Sequence, residues 1–157
     1  MKKLTLRFIV LAGIIFSGAM LFSSCSKNNS DTTAVSTAEA KGYFENYMVN
    51  RDLGVALAID DTTNVTIPLS GYTFRLTDST GGTATSGTVT ASNITRVVAG
   101  TWSVDAGYNT ITFNFADVLV PYIIFVSKQW QFVNRNSPTI MLKAADGETD
   151  LLQFTQK

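Results

Sequence analysis

Histidine is absent from the 157 residues, cysteine occurs once and proline three times. Charged residues make up only 15%, and 12 Lys and Arg stand against 12 Asp and Glu. Each shortage removes a class of chemistry. Without His, Ser-His and Cys-His triads lack their base, and the usual zinc sites lack their ligands. A single Cys has no partner for a disulfide or a redox dithiol. The balanced charge offers no basic footprint for nucleic acid. What the chain does have is apolar side chains, 45% of the total, including ten Phe, five Tyr and two Trp. At this length they supply one core, with room for a targeting segment.

The N-terminus falls into three zones. Lys2, Lys3 and Arg7 are followed by an apolar stretch from Phe8 to Phe22, and then by Ser23-Ser24-Cys25. Basic, apolar and small residues in that order are the layout of a secretory signal peptide. The apolar stretch is shorter than the roughly 20 residues a membrane-spanning helix needs. Leu21-Phe22-Ser23-Ser24-Cys25 resembles the lipobox of bacterial lipoproteins. The resemblance implies cleavage after residue 24 and lipidation of Cys25, the first residue of the mature chain. A lone exported Cys without a disulfide partner fits that role. Removal of residues 1–24 leaves 133 residues, with nine basic side chains against twelve acidic ones. That part is mildly acidic and not a polybasic membrane binder.

After Cys25, the stretch SKNNSDTTAVSTAEA is too poor in large apolar side chains to offset its ordering entropy, so residues 25–40 are expected to form a tether. From residue 41 onward the pattern is that of half-buried strands, with apolar and polar residues alternating. Tyr72, Phe74 and Leu76 alternate with Thr73, Arg75 and Thr77; Ile111, Phe113 and Phe115 with Thr110, Thr112 and Asn114. Trp102 and Val104 share one face of a strand, and Trp130 and Phe132 share one face of another. Turn residues separate the runs at Gly81-Gly82, Asp105-Ala106-Gly107, Ser137-Pro138 and Asp146-Gly147. The pattern predicts strands over 43–49, 71–78, 83–90, 95–105, 109–115, 129–135, 138–144 and 149–155. A further hairpin is expected over 53–68. No helical period stands out beyond the signal peptide. The fold class is therefore all-β, an antiparallel up-and-down meander of about eight strands closing into a barrel over residues 41–157.

Gly71-Tyr72-Thr73-Phe74, Gly100-Thr101-Trp102, Thr110 to Phe115 and Gln129-Trp130 through Phe154 resemble, in that order, the lipocalin-like domain of small Bacteroidota-type outer-membrane lipoproteins. The resemblance implies a calycin-type barrel on a lipid anchor and carries no established ligand or activity.

Three features are candidates for function. Val118 to Val126 is the longest apolar run after the signal peptide, and reads either as a contact patch for a protein partner or as a buried connector around Pro121 that caps the barrel. The connector is the favoured reading. Trp102 and Trp130 are expected in the core. Asp146, Glu148 and Asp150 alternate as calcium ligands do, but their spacing is not that of an EF-hand, and a hairpin turn with solvated neighbours is the simpler account. No pair of carboxylates is framed for glycosidic chemistry and no Gly-x-Ser-x-Gly elbow is present, so the chain reads as a non-enzyme without cofactor or metal. The expectation is a cell-envelope lipoprotein, anchored to the outer membrane through Cys25, whose barrel binds a small apolar or glycan ligand. Two alternatives remain open: a protein-interaction subunit of a surface assembly that docks through 118–126, and a carboxylate-based glycan-active enzyme.

Overall fold

A computed structural model describes residues 35–79, 84–116, 120–135 and 138–157. The signal peptide of residues 1–24 and the lipidation site Cys25 lie outside the described residues. The described chain runs α1 (Thr37–Tyr47), β1 (Asp52–Asp60), β2 (Thr63–Asn64), α2 (Thr66–Ser70), β3 (Thr73–Asp78), β4 (Ser86–Ser92), β5 (Val97–Val104), β6 (Thr110–Phe115), α3 (Pro121–Val126), β7 (Gln129–Asn134), β8 (Thr139–Ala144) and β9 (Leu151–Gln156).

From β3 to β9 each strand pairs antiparallel with the next, and β1 bridges β3 and β9. Eight strands thus close into an up-and-down barrel, as the alternation leads one to expect, and β2 extends β1 as a short hairpin arm. Closure leaves few unpaired edges. Register shifts at Val55/Leu57 in β1 and Phe132/Asn134 in β7 bend the sheet where it must curve.

Inward positions carry the apolar half of the alternation. All seven Phe residues beyond residue 40 are buried, together with Trp102 and Trp130. Large rings and branched side chains remove the most apolar area from water per position, at roughly 25 cal/mol per Å².

Two sequence expectations are corrected. The segment 43–49 is not a strand: it falls in α1 and the turn that follows, and Thr37 to Ala40, expected in the tether, form the first turns of that helix. Ala40, Phe44 and Met48 recur every four residues and are all buried, which is the stripe of a helix with one face covered. Ser36 starts it with a capping box: its hydroxyl accepts from the Glu39 N–H, and the Glu39 carboxylate accepts from the Ser36 N–H. Ser36→Ala should lower stability by about 1 kcal/mol, as read by urea denaturation. An unchanged midpoint would mean that Phe44 alone holds the helix. In the second correction, the hairpin expected over 53–68 supplies a full barrel strand, β1, and its second arm stops after Thr63–Asn64 as the chain turns into α2.

Because neighbouring strands are antiparallel, α1 joins the barrel at the end where β3, β5, β7 and β9 finish. The opposite end, called here the far end, carries α2, the β4–β5 turn, α3 and the β8–β9 turn.

Candidate functional site

Three levels of aromatic packing occupy the barrel. In the middle, Phe74 of β3 lies 5.3 Å from Phe154 of β9, centroid to centroid. Both reach β6, three strands away around the closed sheet: Phe74 meets Phe115 at 6.2 Å and Phe154 meets Phe113 at 6.4 Å. Rings from separate walls touch across the centre, in the edge-on geometry that aromatic pairs prefer. At the α1 end, Phe44 sits 5.3 Å from Trp102, 5.9 Å from Tyr108 and 6.3 Å from Phe132. At the far end, Phe125 of α3 meets Trp130 at 5.4 Å. Rings from β3, β6 and β9 thus meet across the middle of the barrel.

The described part of the run, residues 120–126, acts mainly as the connector; Val118 and Leu119 lie outside the described residues. Pro121 opens α3, where its missing N–H costs nothing. Ile123, Phe125 and Val126 are buried, and the Val126 carbonyl accepts from the Trp130 indole N–H at 2.9 Å. Tyr122 and Ile124, on the other face, are exposed.

Outside the barrel, an open groove of about 460 Å³ runs over β4, β5 and β6. Its walls come from the outward positions of these strands, brought side by side by register. Thr88 pairs with Thr101 and Ser86 with Ser103; Thr101 then pairs with Asn114 and Ser103 with Thr112. Paired hydroxyls therefore stand about 4.8 Å apart across the strands. The floor is opened by Gly87. A Cβ at this position would lie 2.0 Å from the Thr77 carbonyl oxygen and 2.8 Å from the Trp102 indole nitrogen. Only glycine lets that indole donate to the Thr77 carbonyl, at 3.3 Å, and lie at the base of the groove. No outward position of β4, β5, β6 or β7 carries a charge. Sequence reasoning missed this groove, since its residues become neighbours only through the register of three strands.

A second groove, of about 420 Å³, lies at the far end between the β1–β2 turn and the β8–β9 turn. Asp60, Asp61, Glu148 and Asp150 line it. Asp146 and Gly147 do form a turn, with Gly147 at φ +93°, but Asp150 is buried, against the expectation of a solvated neighbour. Lys128 explains the burial: its ammonium donates to Glu148 at 3.0 Å and to Asp150, while the Asp61 N–H donates to the other Asp150 oxygen at 2.6 Å. Burial pushes the Asp150 carboxyl up, yet these hydrogen bonds outweigh it and hold the group below its ordinary value. Burial likewise pulls the Lys128 ammonium down, and its two carboxylates more than restore it, for a net rise. Lys128 thus stands where a hard cation would have to sit. Among the described residues no three acidic or thiol side chains are grouped to hold a metal ion. At the α1 end, burial pushes the Tyr43 hydroxyl up to about 12, and it donates to the Thr139 carbonyl at 3.3 Å.

No protein-family profile matches the chain, and no curated protein sequence does. A solved structure of a DUF4847 family protein from Bacteroides vulgatus is similar to it, with 18% identity, a TM-score of 0.48, and coverage of 71% of this chain and 95% of that one.

Proposed function

We propose that the protein is a lipoprotein of the cell envelope, held to the membrane through acylated Cys25, and that its barrel binds a neutral glycan in the groove over β4, β5 and β6. One observation carries the reading: the groove is built from hydroxyl and amide side chains without a charge, outside a barrel whose axis is crossed by aromatic rings. Hydroxyls that both donate and accept suit a ligand that does the same. The absence of charge disfavours phosphate and nucleic acid, which need cations. An apolar ligand would find the interior taken. Catalysis is not part of the proposal, since Glu148 and Asp150 of the acidic groove are both ion-paired to Lys128. Among the described residues no helix is long and apolar enough to cross a membrane.

The test is a glycan array probed with residues 35–157, a segment that contains the closed sheet and its whole core. Neutral oligosaccharides should bind, and Thr101→Glu with Ser103→Glu should weaken binding at least tenfold while the melting temperature holds. Binding of anionic glycans alone, or neutral binding indifferent to the two carboxylates, would defeat the proposal.

A further inference from the structure

Seven large hydrophobic side chains are exposed among the described residues, and five of them, Ile67, Ile94, Val97, Tyr122 and Ile124, stand at the far end of the barrel. Ile67 on α2 is 86% exposed and Ile94 on the β4–β5 turn fully so. α2 and α3 pack against each other, which brings Ile67 to the same end cap as Tyr122 and Ile124. Packing within the domain does not account for these residues, whose inward neighbours Leu69, Ile123 and Phe125 already serve the core. Exposed apolar clusters rimmed by polar residues mark contact surfaces.

The acidic groove adjoins this cap. Its β1–β2 turn leads into α2, and Lys128, which closes the groove, follows α3 by two residues. Lys128 divides its single charge between Glu148 and Asp150; Asp60 and Asp61 have no ion-pair partner among the described residues. The apolar cap is thus bordered by acidic side chains along the β1–β2 and β8–β9 turns, while Arg96 stands beside Ile94 and Val97 on the β4–β5 turn. We infer that this end of the barrel docks a segment of another protein that carries apolar side chains flanked by Lys or Arg. One observation chooses that occupant over a bilayer: the acidic border would be repelled by an anionic leaflet. This charge argument rests neither on the proposed anchor at Cys25 nor on glycan binding at the barrel wall.

Fluorescence anisotropy tests the inference with residues 35–157 and two labelled helical peptides, one of leucine and lysine, the other of leucine and glutamate in the same pattern. The lysine peptide should bind saturably and weaken as salt rises, and the glutamate peptide should not bind. Ile67→Ser with Ile124→Ser, both at exposed positions, should weaken binding at least tenfold. Asp60→Asn with Glu148→Gln should weaken it at least fivefold, and Glu45→Gln on α1 should leave it unchanged. Equal binding of both peptides, failure to bind either, or binding indifferent to the cap variants would overturn the proposal. So would flotation with phosphatidylglycerol vesicles that is lost in the Ile67/Ile124 variant, since it would make the cap a membrane surface. Loss of glycan binding with peptide binding intact would count against the groove alone.

Discussion

Phe113→Ala is expected to lower stability by about 3–5 kcal/mol, among the largest losses that a single truncation in this domain can give. The ring is buried on β6 and meets Phe154, which stands on the far side of the closed sheet. Its removal takes away apolar burial and leaves a void that eight paired strands cannot collapse to fill, and the two costs add. Urea denaturation would show a lower midpoint with an unchanged slope. Val133→Ala, at an exposed position in the β7 register shift, should change stability by less than about 0.5 kcal/mol. The void in Phe113→Ala should also be apolar enough to bind benzene, which would stabilise the variant in proportion to its occupancy. A loss near 1 kcal/mol and no effect of benzene would mean that the barrel centre is already loose.

Lys128→Met is the second substitution with a large expected effect. It keeps a long, unbranched apolar side chain but removes the ammonium that sits between Glu148 and Asp150 and over the Phe125 and Trp130 rings. Glu148 can turn to water, whereas Asp150, 2% exposed, cannot. Stripping one partner from a buried pair typically costs about 3–5 kcal/mol, and since Lys128 is itself partly exposed the expected loss is at the lower end, about 3 kcal/mol. The pH profile carries the sign. In the native protein the folded-state pKa of Asp150 lies below its ordinary value of 3.8. Its stabilising contribution is therefore complete above that value and is lost as pH falls through the lower, folded pKa. Without Lys128, burial is less opposed and the folded pKa rises, so the variant should gain stability relative to the native protein as the medium is acidified and Asp150 takes up a proton. Lys128→Met with Asp150→Asn should recover part of the loss at pH 7, because no uncompensated charge is left buried. Denaturation curves between pH 7 and pH 3 would show both effects. A variant as stable as the native protein at pH 7 would mean that Asp150 is hydrated and not clasped.

Strands were legible where one face is apolar and the other polar. Phe74, Phe113, Trp102, Trp130, Ile140 and Phe154 all point inward as their alternation requires, and β3 to β9 lie within a few residues of the expected spans. α1 was hidden by composition: Tyr43, Phe44 and Tyr47 favour strands, and Gly42 interrupts the helical pattern. The signal that would have revealed it is the pair Ser36 and Glu39, three residues apart, ahead of Ala40, Phe44 and Met48. The burial of Asp150 could not be read locally, since Lys128 lies 22 residues away and Asp61 lies 89. The outer groove was illegible for the same reason. Ser86, Thr101 and Thr112 are ordinary outward residues on three separate strands, and only their register, with the gap left by Gly87, joins them into one surface.

A barrel filled by its own side chains moves recognition to the outer wall and the far end. Titration of residues 35–157 with cis-parinaric acid, a fluorescent fatty acid that brightens inside apolar cavities, is the sharpest test of that filling. No saturable one-to-one binding to the native protein is expected. Stoichiometric binding that survives Ile67→Ser with Ile124→Ser at the far end, and is blocked by Phe113→Trp within the barrel, would place a ligand inside and contradict it.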